Sequence, residues 1–485
     1  MIINNAVILA GGLGSRAQSK INRTYPKVLF KVNDKPILQR NIEILRDQLN
    51  IKSITLIIGF EEQLIKNYFK NGDELGVQIN YVKSKPNFGI ADALLLAKEK
   101  INGMFIVMLG DEFYFNSTHH TILESNCPDY DALITYMKSD NPQSITNNYS
   151  IKMDENKKVL SLIEKPRVVD NDFLGLGTFI LNDKIFSYLE TSSKNPKTGK
   201  RELIDVISNY AKNHNVYAHE LQGSYVNINT VDDWYHAKYI SNESNFNSFK
   251  KTLIIPTYNE NDSIIFVLND FKKFVDEIII ADGGSTDGTL KKIINHAKSD
   301  NKIKLIQKKF RGYGDAIRTG IDNATGDIVI LVEGDATFRS RDISKMFEYI
   351  KDCDMVIGTR TTKQMINQGA NMSTWLRIAN LAVAKVIELL WWGYNEPRLT
   401  DVGCTYRTFW KKEYDEIKQN FVGTGPEFSP EMMIEFIRNN NRIIEIPVSY
   451  YGRISGQSKH SESTVAIIKT GLKMISLIFK KRLSK

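Results

Sequence analysis

Short apolar runs alternate with amphipathic stretches through residues 1–240, and the same alternation starts afresh at residue 252. Runs with strand character lie at 6–10, 53–58, 105–109 and 132–137, with helical spacing at 37–49 and 61–69 between them. Strand–helix–strand order predicts a mostly parallel sheet with helices on both faces, and such sheets bind ligands at the carboxyl ends of their strands. A second series, at 252–255, 277–281, 304–307, 327–332 and 355–358, predicts a second sheet of the same kind. At roughly 150 residues per domain the 485 residues would make about three domains, but larger α/β domains are ordinary, so two fit best. The expected arrangement is two doubly wound, Rossmann-like α/β domains, 1–240 and 251–485, joined by a polar, aperiodic linker at 241–250.

Composition sets outer bounds. Hydrophobic residues at 42% and charged residues at 25% are globular values, so each half can bury a core. The three cysteines, Cys127, Cys353 and Cys404, have no CxxC spacing, which fits a reducing cytoplasm and argues against structural zinc. A net charge of +8 is spread along the chain and reads as solvation, so no nucleic-acid partner is expected. No apolar run approaches the ~20 residues of a membrane-spanning helix, and the amino terminus reads as a strand rather than a signal segment.

The first strand runs into Leu9-Ala10-Gly11-Gly12-Leu13-Gly14-Ser15-Arg16, where glycines let backbone N–H groups approach a phosphate closely. Arg16 and Lys27 add cations. Asn87-Phe88-Gly89-Ile90, Gly110-Asp111, Glu164-Lys165-Pro166, Gly175-Leu176-Gly177 and Asn227-Ile228-Asn229-Thr230 follow in order. This series resembles the nucleotidyltransferases that join a sugar 1-phosphate to a nucleoside triphosphate. The resemblance implies that Ala10, Gly11, Gly12, Gly14, Ser15 and Gly89 meet the nucleotide and that Glu164 and Gly177 meet the sugar. It makes Asp111 and Asn227 ligands of Mg2+ or Mn2+. A sugar 1-phosphate oxygen would attack the α-phosphorus in line as pyrophosphate leaves. Catalysis is then positioning plus charge neutralisation by the metal, Arg16, Lys27 and Lys165, with no general base. The chain departs from the family at 17–22, which lacks Leu-x-Pro-Leu-Thr, and at Asn227, where many members carry Asp. Ser84 stands where part of the family has a base-reading glutamine, so the nucleobase stays open.

The second series opens with Pro256-Thr257-Tyr258-Asn259-Glu260, then Asp282-Gly283-Gly284-Ser285, Arg311-Gly312-Tyr313-Gly314-Asp315 and Glu333-Gly334-Asp335. These resemble the nucleotide-binding loops of inverting family 2 glycosyltransferases with the GT-A fold, although Gly283 replaces the usual second aspartate. Asp401-Val402-Gly403-Cys404 and Arg453-Ile454-Ser455-Gly456-Gln457-Ser458-Lys459 resemble the dolichol-phosphate mannose synthase branch. The resemblance implies that Pro256, Tyr258, Glu260, Asp282, Gly312, Asp315, Arg377, Asp401 and Lys459 contact substrate. It makes Glu333 and Asp335 metal ligands, with Asp335 also catalytic, and sets Arg360 and Arg453 on phosphate. A lipid phosphate acceptor needs no deprotonation; a hydroxyl acceptor would need a base, for which Glu431 and Asp401 are the candidates.

From 464 to 485 the chain carries Lys469, Lys473, Lys480, Lys481, Arg482 and Lys485 and no acid. Val465, Ile468, Leu472, Ile475 and Phe479 recur at helical spacing, giving a basic amphipathic helix that would either lie on a membrane or pack on its own domain. The whole predicts a bifunctional cytoplasmic enzyme, peripheral at the inner membrane face. Its first half makes a nucleotide sugar or polyol and its second transfers the group, preferably to polyprenyl phosphate. The rivals are a non-catalytic first half that senses nucleotide or sugar phosphate, and a transferase acting on a glycan hydroxyl.

Overall fold

Strands covered on both faces must be apolar throughout, and the opening strands meet that condition. The computed structural model describes residues 3–12, 25–85, 88–124, 129–196, 199–370, 372–394, 396–454 and 464–484. Two compact units emerge, Met1–Ser241 and Asn242–Lys485.

In the first unit β1 (Asn5–Ala10), β2 (Ser53–Ile58), β3 (Gln78–Lys83) and β4 (Met104–Leu109) are parallel, in the order β4-β1-β2-β3. Strand alternation sends Ala6, Ile8 and Ala10 into one apolar layer and Val7 into the other, so a core lies on each face. The helix Ile37–Leu49 buries Leu38, Ile42, Leu45 and Leu49 and stops at Asn50, which takes the left-handed conformation (φ 55°). Past β4 a short strand, β5 (Glu112–Phe115), stands apart. The main sheet continues through β6 (Ala132–Lys138), β7 (Tyr149–Met153), β8 (Val159–Glu164), β9 (Phe173–Asn182) and β10 (Val216–Glu220). β9 runs antiparallel to β4, β6 and β7, so this half of the sheet is mixed rather than parallel. Finally β11 (Ser224–Asn227) pairs antiparallel with β5 and sets Asn227 opposite Glu112.

The stretch at 241–250, expected to be an irregular linker, is largely helical: Val231–Asn245 is one helix and Phe246–Ser248 a further turn. Its polarity does not release it, because Ser241 and Asn242 are buried and both take part in hydrogen bonds.

The second unit has one sheet of β12 (Lys251–Thr257), β13 (Glu277–Asp282), β14 (Ile303–Gln307), β15 (Ile328–Leu331), β16 (Met355–Thr359), β17 (Arg407–Trp410) and β18 (Ile443–Pro447). The order is β14-β13-β12-β15-β17-β16-β18, with β17 antiparallel to both neighbours and the other pairs parallel. Strand order reverses between β12 and β15, so the loops after these two strands meet at the switch point where such sheets bind ligands.

The terminal helix Thr464–Leu483 buries Leu477, Ile478 and Lys481 while Ile468, Leu472, Phe479 and Leu483 stay exposed. No described helix is long and apolar enough to cross a membrane.

Candidate functional site

Parallel strands deliver their carboxyl ends to one edge of the first unit, where β1 leads into Gly11 and Gly12 and β4 leads toward Asp111. β1 ends at Ala10, and Gly11 and Gly12 follow; a Cβ on Gly12 would stand 4.0 Å from the Lys27 Cε, so the lysine stem passes over the glycine turn. Gly14, Ser15 and Arg16 lie outside the described residues. Lys27 is buried, donates to the Ile228 carbonyl at 3.1 Å and forms an ion pair with Asp111. Asp111 follows β4, and its own carbonyl accepts from the Ile228 N–H at 3.0 Å. Lys27, Asp111 and the end of β11 at Asn227 therefore come together, although 200 residues separate Lys27 from Asn227.

Asn227 donates its amide N–H to the Asn148 Oδ1 at 2.8 Å, which leaves its own buried Oδ1 without a hydrogen-bond partner. A buried oxygen in that condition suits a hard cation. Asn148 also ties in the segment expected to meet the sugar phosphate, since its backbone carbonyl accepts from the Lys165 N–H at 2.7 Å. Glu164 ends β8, and burial raises its pKa with Lys165 opposing. Lys165 itself is largely exposed and sits 3.3 Å from the Glu164 carboxylate.

Three expected glycines have packing reasons. A Cβ on Gly89 would fall 2.4 Å from the Arg201 carbonyl oxygen, one on Gly175 would fall inside the Tyr149 ring contact at 2.1 Å, and one on Gly177 would meet the Glu112 carboxylate at 2.6 Å. Glu112 was missed by motif reading. It is buried and accepts from the hydroxyls of Tyr114 (2.5 Å) and Tyr225 (2.6 Å) and from the Gly177 N–H (2.9 Å). Burial pushes its pKa up to about 7, with the two tyrosine bonds opposing. Its only sequence signal is adjacency to Asp111.

The second unit crowds carboxylates at its switch point. Pro256 lies within β12, Tyr258 is exposed, and Glu260 beyond it has its pKa raised to about 7 by burial and by Asp335. Glu333 is likewise raised, by burial and then by Asp335. Asp335 accepts from the Thr337 N–H and hydroxyl, and its other oxygen lies 2.8 Å from the Arg453 guanidinium, which reaches Glu260 at 3.6 Å. Arg453, expected on phosphate, thus sits as counter-ion to the acidic pair.

Other expected contacts have local tasks. The Asp282 carboxylate is buried and accepts from Gly284, Ser285 N–H and the Ser285 hydroxyl, closing its own turn. Asp315 accepts from the Arg311 N–H at the start of helix Tyr313–Asp322, and a Cβ on Gly312 would lie 2.5 Å from the Thr424 carbonyl oxygen. Arg377 bonds Thr374 of its own helix at 3.4 Å. Lys459 lies outside the described residues.

Asp401 and Arg360 pair with each other. Asp401, expected on substrate or as a base, is fully buried and holds Arg360 through Nε at 2.8 Å and Nη2 at 2.9 Å. Burial alone would raise Asp401, yet the guanidinium outweighs it and its pKa falls below the usual value. The same pairing occupies the Arg360 fork that was expected on phosphate. Glu431, the other candidate base, is fully buried, accepts from the Val422 and Gly423 N–H groups and pairs with Lys481 at 2.7 Å. Lys481 was assigned to the basic face of the terminal helix, but a buried carboxylate needs a partner, and this lysine supplies it to Glu431 and Glu435.

Among the described residues no cluster of three or more His, Cys, Asp or Glu forms a self-sufficient metal centre. Magnesium is commonly held by one or two protein carboxylates together with substrate phosphates, and both sites offer that number.

Residues 5–243 match the family model "Nucleotidyl transferase", and residues 252–414 match "Glycosyl transferase family 2". The first half is 31% identical over 224 residues to the bifunctional protein GlmU of Methanococcus aeolicus, covering 46% of this chain and 51% of that one. It is also 31% identical over 228 residues to a bifunctional sugar-1-phosphate nucleotidylyltransferase/acetyltransferase of Sulfurisphaera tokodaii, covering 46% and 52%. A third relative, the low-salt glycan biosynthesis nucleotidyltransferase Agl11 of Haloferax volcanii, is 27% identical over 230 residues, covering 47% and 63%. The chain spans about half the length of the first curated relatives it matches.

Proposed function

We propose, from a nucleotidyl transferase domain followed on one chain by a family 2 glycosyl transferase domain, that the first half makes a nucleotide sugar or polyol and the second transfers its glycosyl or polyol group. The observation that carries the reading is the pair of separate charge constellations: Lys27 with Asp111 and Asn227, and Glu333 with Asp335 and Arg453. A divalent cation held by Asp111 and Asn227 in one site, and by Glu333 and Asp335 in the other, would offset charge on phosphate oxygens. Lys27 and Lys165 would hold the reacting phosphates in line, and no side chain need take a proton.

The acceptor we infer is a polyprenyl phosphate. Both carboxylates considered as a base for a hydroxyl, Asp401 and Glu431, are buried in ion pairs, whereas a phosphate oxygen arrives already anionic. The exposed side chains Ile468, Leu472 and Phe479, interleaved with Lys469, Lys473 and Lys480, suit the surface of an anionic bilayer.

The test is a panel of nucleoside triphosphates and sugar or polyol 1-phosphates scored for pyrophosphate release, followed by transfer from the product to polyprenyl phosphate in vesicles. Pyrophosphate from no combination, with folded protein, would leave the first half a binding module; transfer only to a soluble glycan would remove the lipid acceptor.

A further inference from the structure

The side-chain amide of Asn148 stands at a junction that no motif announces. Its Nδ2 donates to the Ser144 carbonyl at 2.9 Å, and a carbonyl oxygen can only accept. The Asn148 Oδ1 must therefore face the other way, where it lies 2.8 Å from the Asn227 Nδ2 and 3.3 Å from the Tyr225 hydroxyl. That choice propagates. An acceptor facing Asn227 requires the NH2 end of Asn227 to turn toward it, so the Asn227 carbonyl oxygen is directed away, buried and without a hydrogen-bond partner.

We propose that Asn148 is a positioning residue that fixes the orientation of the Asn227 amide, so that an oxygen rather than an N–H group faces the cation site shared with Asp111. The inference rests on the nucleotidyl-transfer reading of the first unit and adds a residue to it. An asparagine can present either a hard oxygen or two N–H donors, and only the oxygen can ligate a divalent cation. An aspartate at 227 would need no such control, because both its oxygens accept. The neutral residue at this position thus creates a requirement that Asn148 meets. The same residue, through its carbonyl, holds the Lys165 N–H, so the orientation of Asn227 and the placement of the sugar-phosphate segment share one support.

The experiment measures Mn2+ affinity by electron paramagnetic resonance, with Mn2+ alone and with inorganic pyrophosphate, in the full chain carrying Asp335→Ala so that the second unit contributes little. Asp111→Asn comes first: unchanged Mn2+ binding would show that no cation sits there, and would remove the underlying reading. With that site established, Asn148→Ala should weaken Mn2+ by about 10–100-fold, the usual cost of losing support behind a metal ligand. Asn148→Ser, whose hydroxyl is too short to reach Asn227, should weaken it similarly and serves where the alanine variant folds poorly. The decisive arm is Asn148→Ala with Asn227→Asp, which should restore parental affinity because the carboxylate has an oxygen at either end. Unchanged affinity in the single variants overturns the proposal. Loss without restoration by Asn227→Asp also overturns it, leaving Asn148 a support for the fold alone.

Discussion

The two candidate sites balance charge by different means. In the first unit one lysine faces one aspartate, and the third member, Asn227, is neutral, with its oxygen left open by the network behind it. In the second unit the acids outnumber what a single cation can balance, and guanidinium forks close on them: Arg453 on Asp335 and Glu260, Arg360 on Asp401. The consequence shows in acidity. Glu260 and Glu333 are both pushed up by burial and by Asp335, as expected when like charges share a low-dielectric site. The first site is prepared by orientation, the second by opposed charge. A bound cation should therefore matter to the second site even before substrate arrives, whereas the first should depend more on the geometry of its neutral ligand.

The largest effect should come from separating the sites. Asp335→Ala should abolish glycosyl transfer and leave pyrophosphate release intact, while Asp111→Asn should cost several kcal/mol of transition-state stabilisation in pyrophosphate release alone. Parallel assays of both reactions on each variant measure this, and loss of both reactions from one substitution in folded protein would end the two-site comparison.

Next in size is the buried ion pair of the terminal helix. Lys481→Met strands Glu431 and Glu435 in the interior and should destabilise the second unit by about 3–5 kcal/mol, read from denaturant unfolding. If Glu431 were a base instead, Glu431→Gln would silence transfer with no change in stability.

A smaller, graded effect sharpens the contrast in acidity. His119 in the first unit is buried, bonded to Ser117 and Thr178, and its pKa falls from 6.5 to about 3 through burial and then the neighbouring His219 and His120. Between those values the unfolded chain binds the proton and the folded one does not. Stability from this group is thus present above pH 6.5 and is lost as pH falls toward 3, with a slope of up to about 1.4 kcal/mol per pH unit. Urea unfolding across that window should show a flatter pH dependence for His119→Gln than for the parent.

The smallest effect concerns the terminal helix. Each of Lys469→Gln and Lys473→Gln should weaken binding to anionic vesicles by about 1 kcal/mol, measured by sedimentation at low salt. Equal binding of parent and double variant would remove the lipid surface from the reading.

Much of this was legible in the chain itself. Local periodicity gave the strands, because an apolar run in a parallel sheet differs from an amphipathic helix over a few residues. Motif order marked the two loop sets, and in the fold Lys27 contacts Asp111 and the carbonyl of Ile228, the residue after Asn227. The mixed half of the first sheet was not legible, since antiparallel pairing of β9 depends on partners far away in sequence. Glu112 and Asn148 were equally hidden, for each acts through hydrogen bonds to residues tens of positions distant.

Composition and pattern by themselves determined that this chain makes two α/β units, because backbone geometry and local burial set that outcome. Which cation each buried acid takes as its partner was decided only by the tertiary structure. Asp335, Asp401 and Glu431 look alike in sequence, yet each is buried and takes a different internal partner: Arg453, Arg360 and Lys481. The orientation of the Asn227 amide was decided there too, since an asparagine has no preferred end until a fixed neighbour accepts one of them.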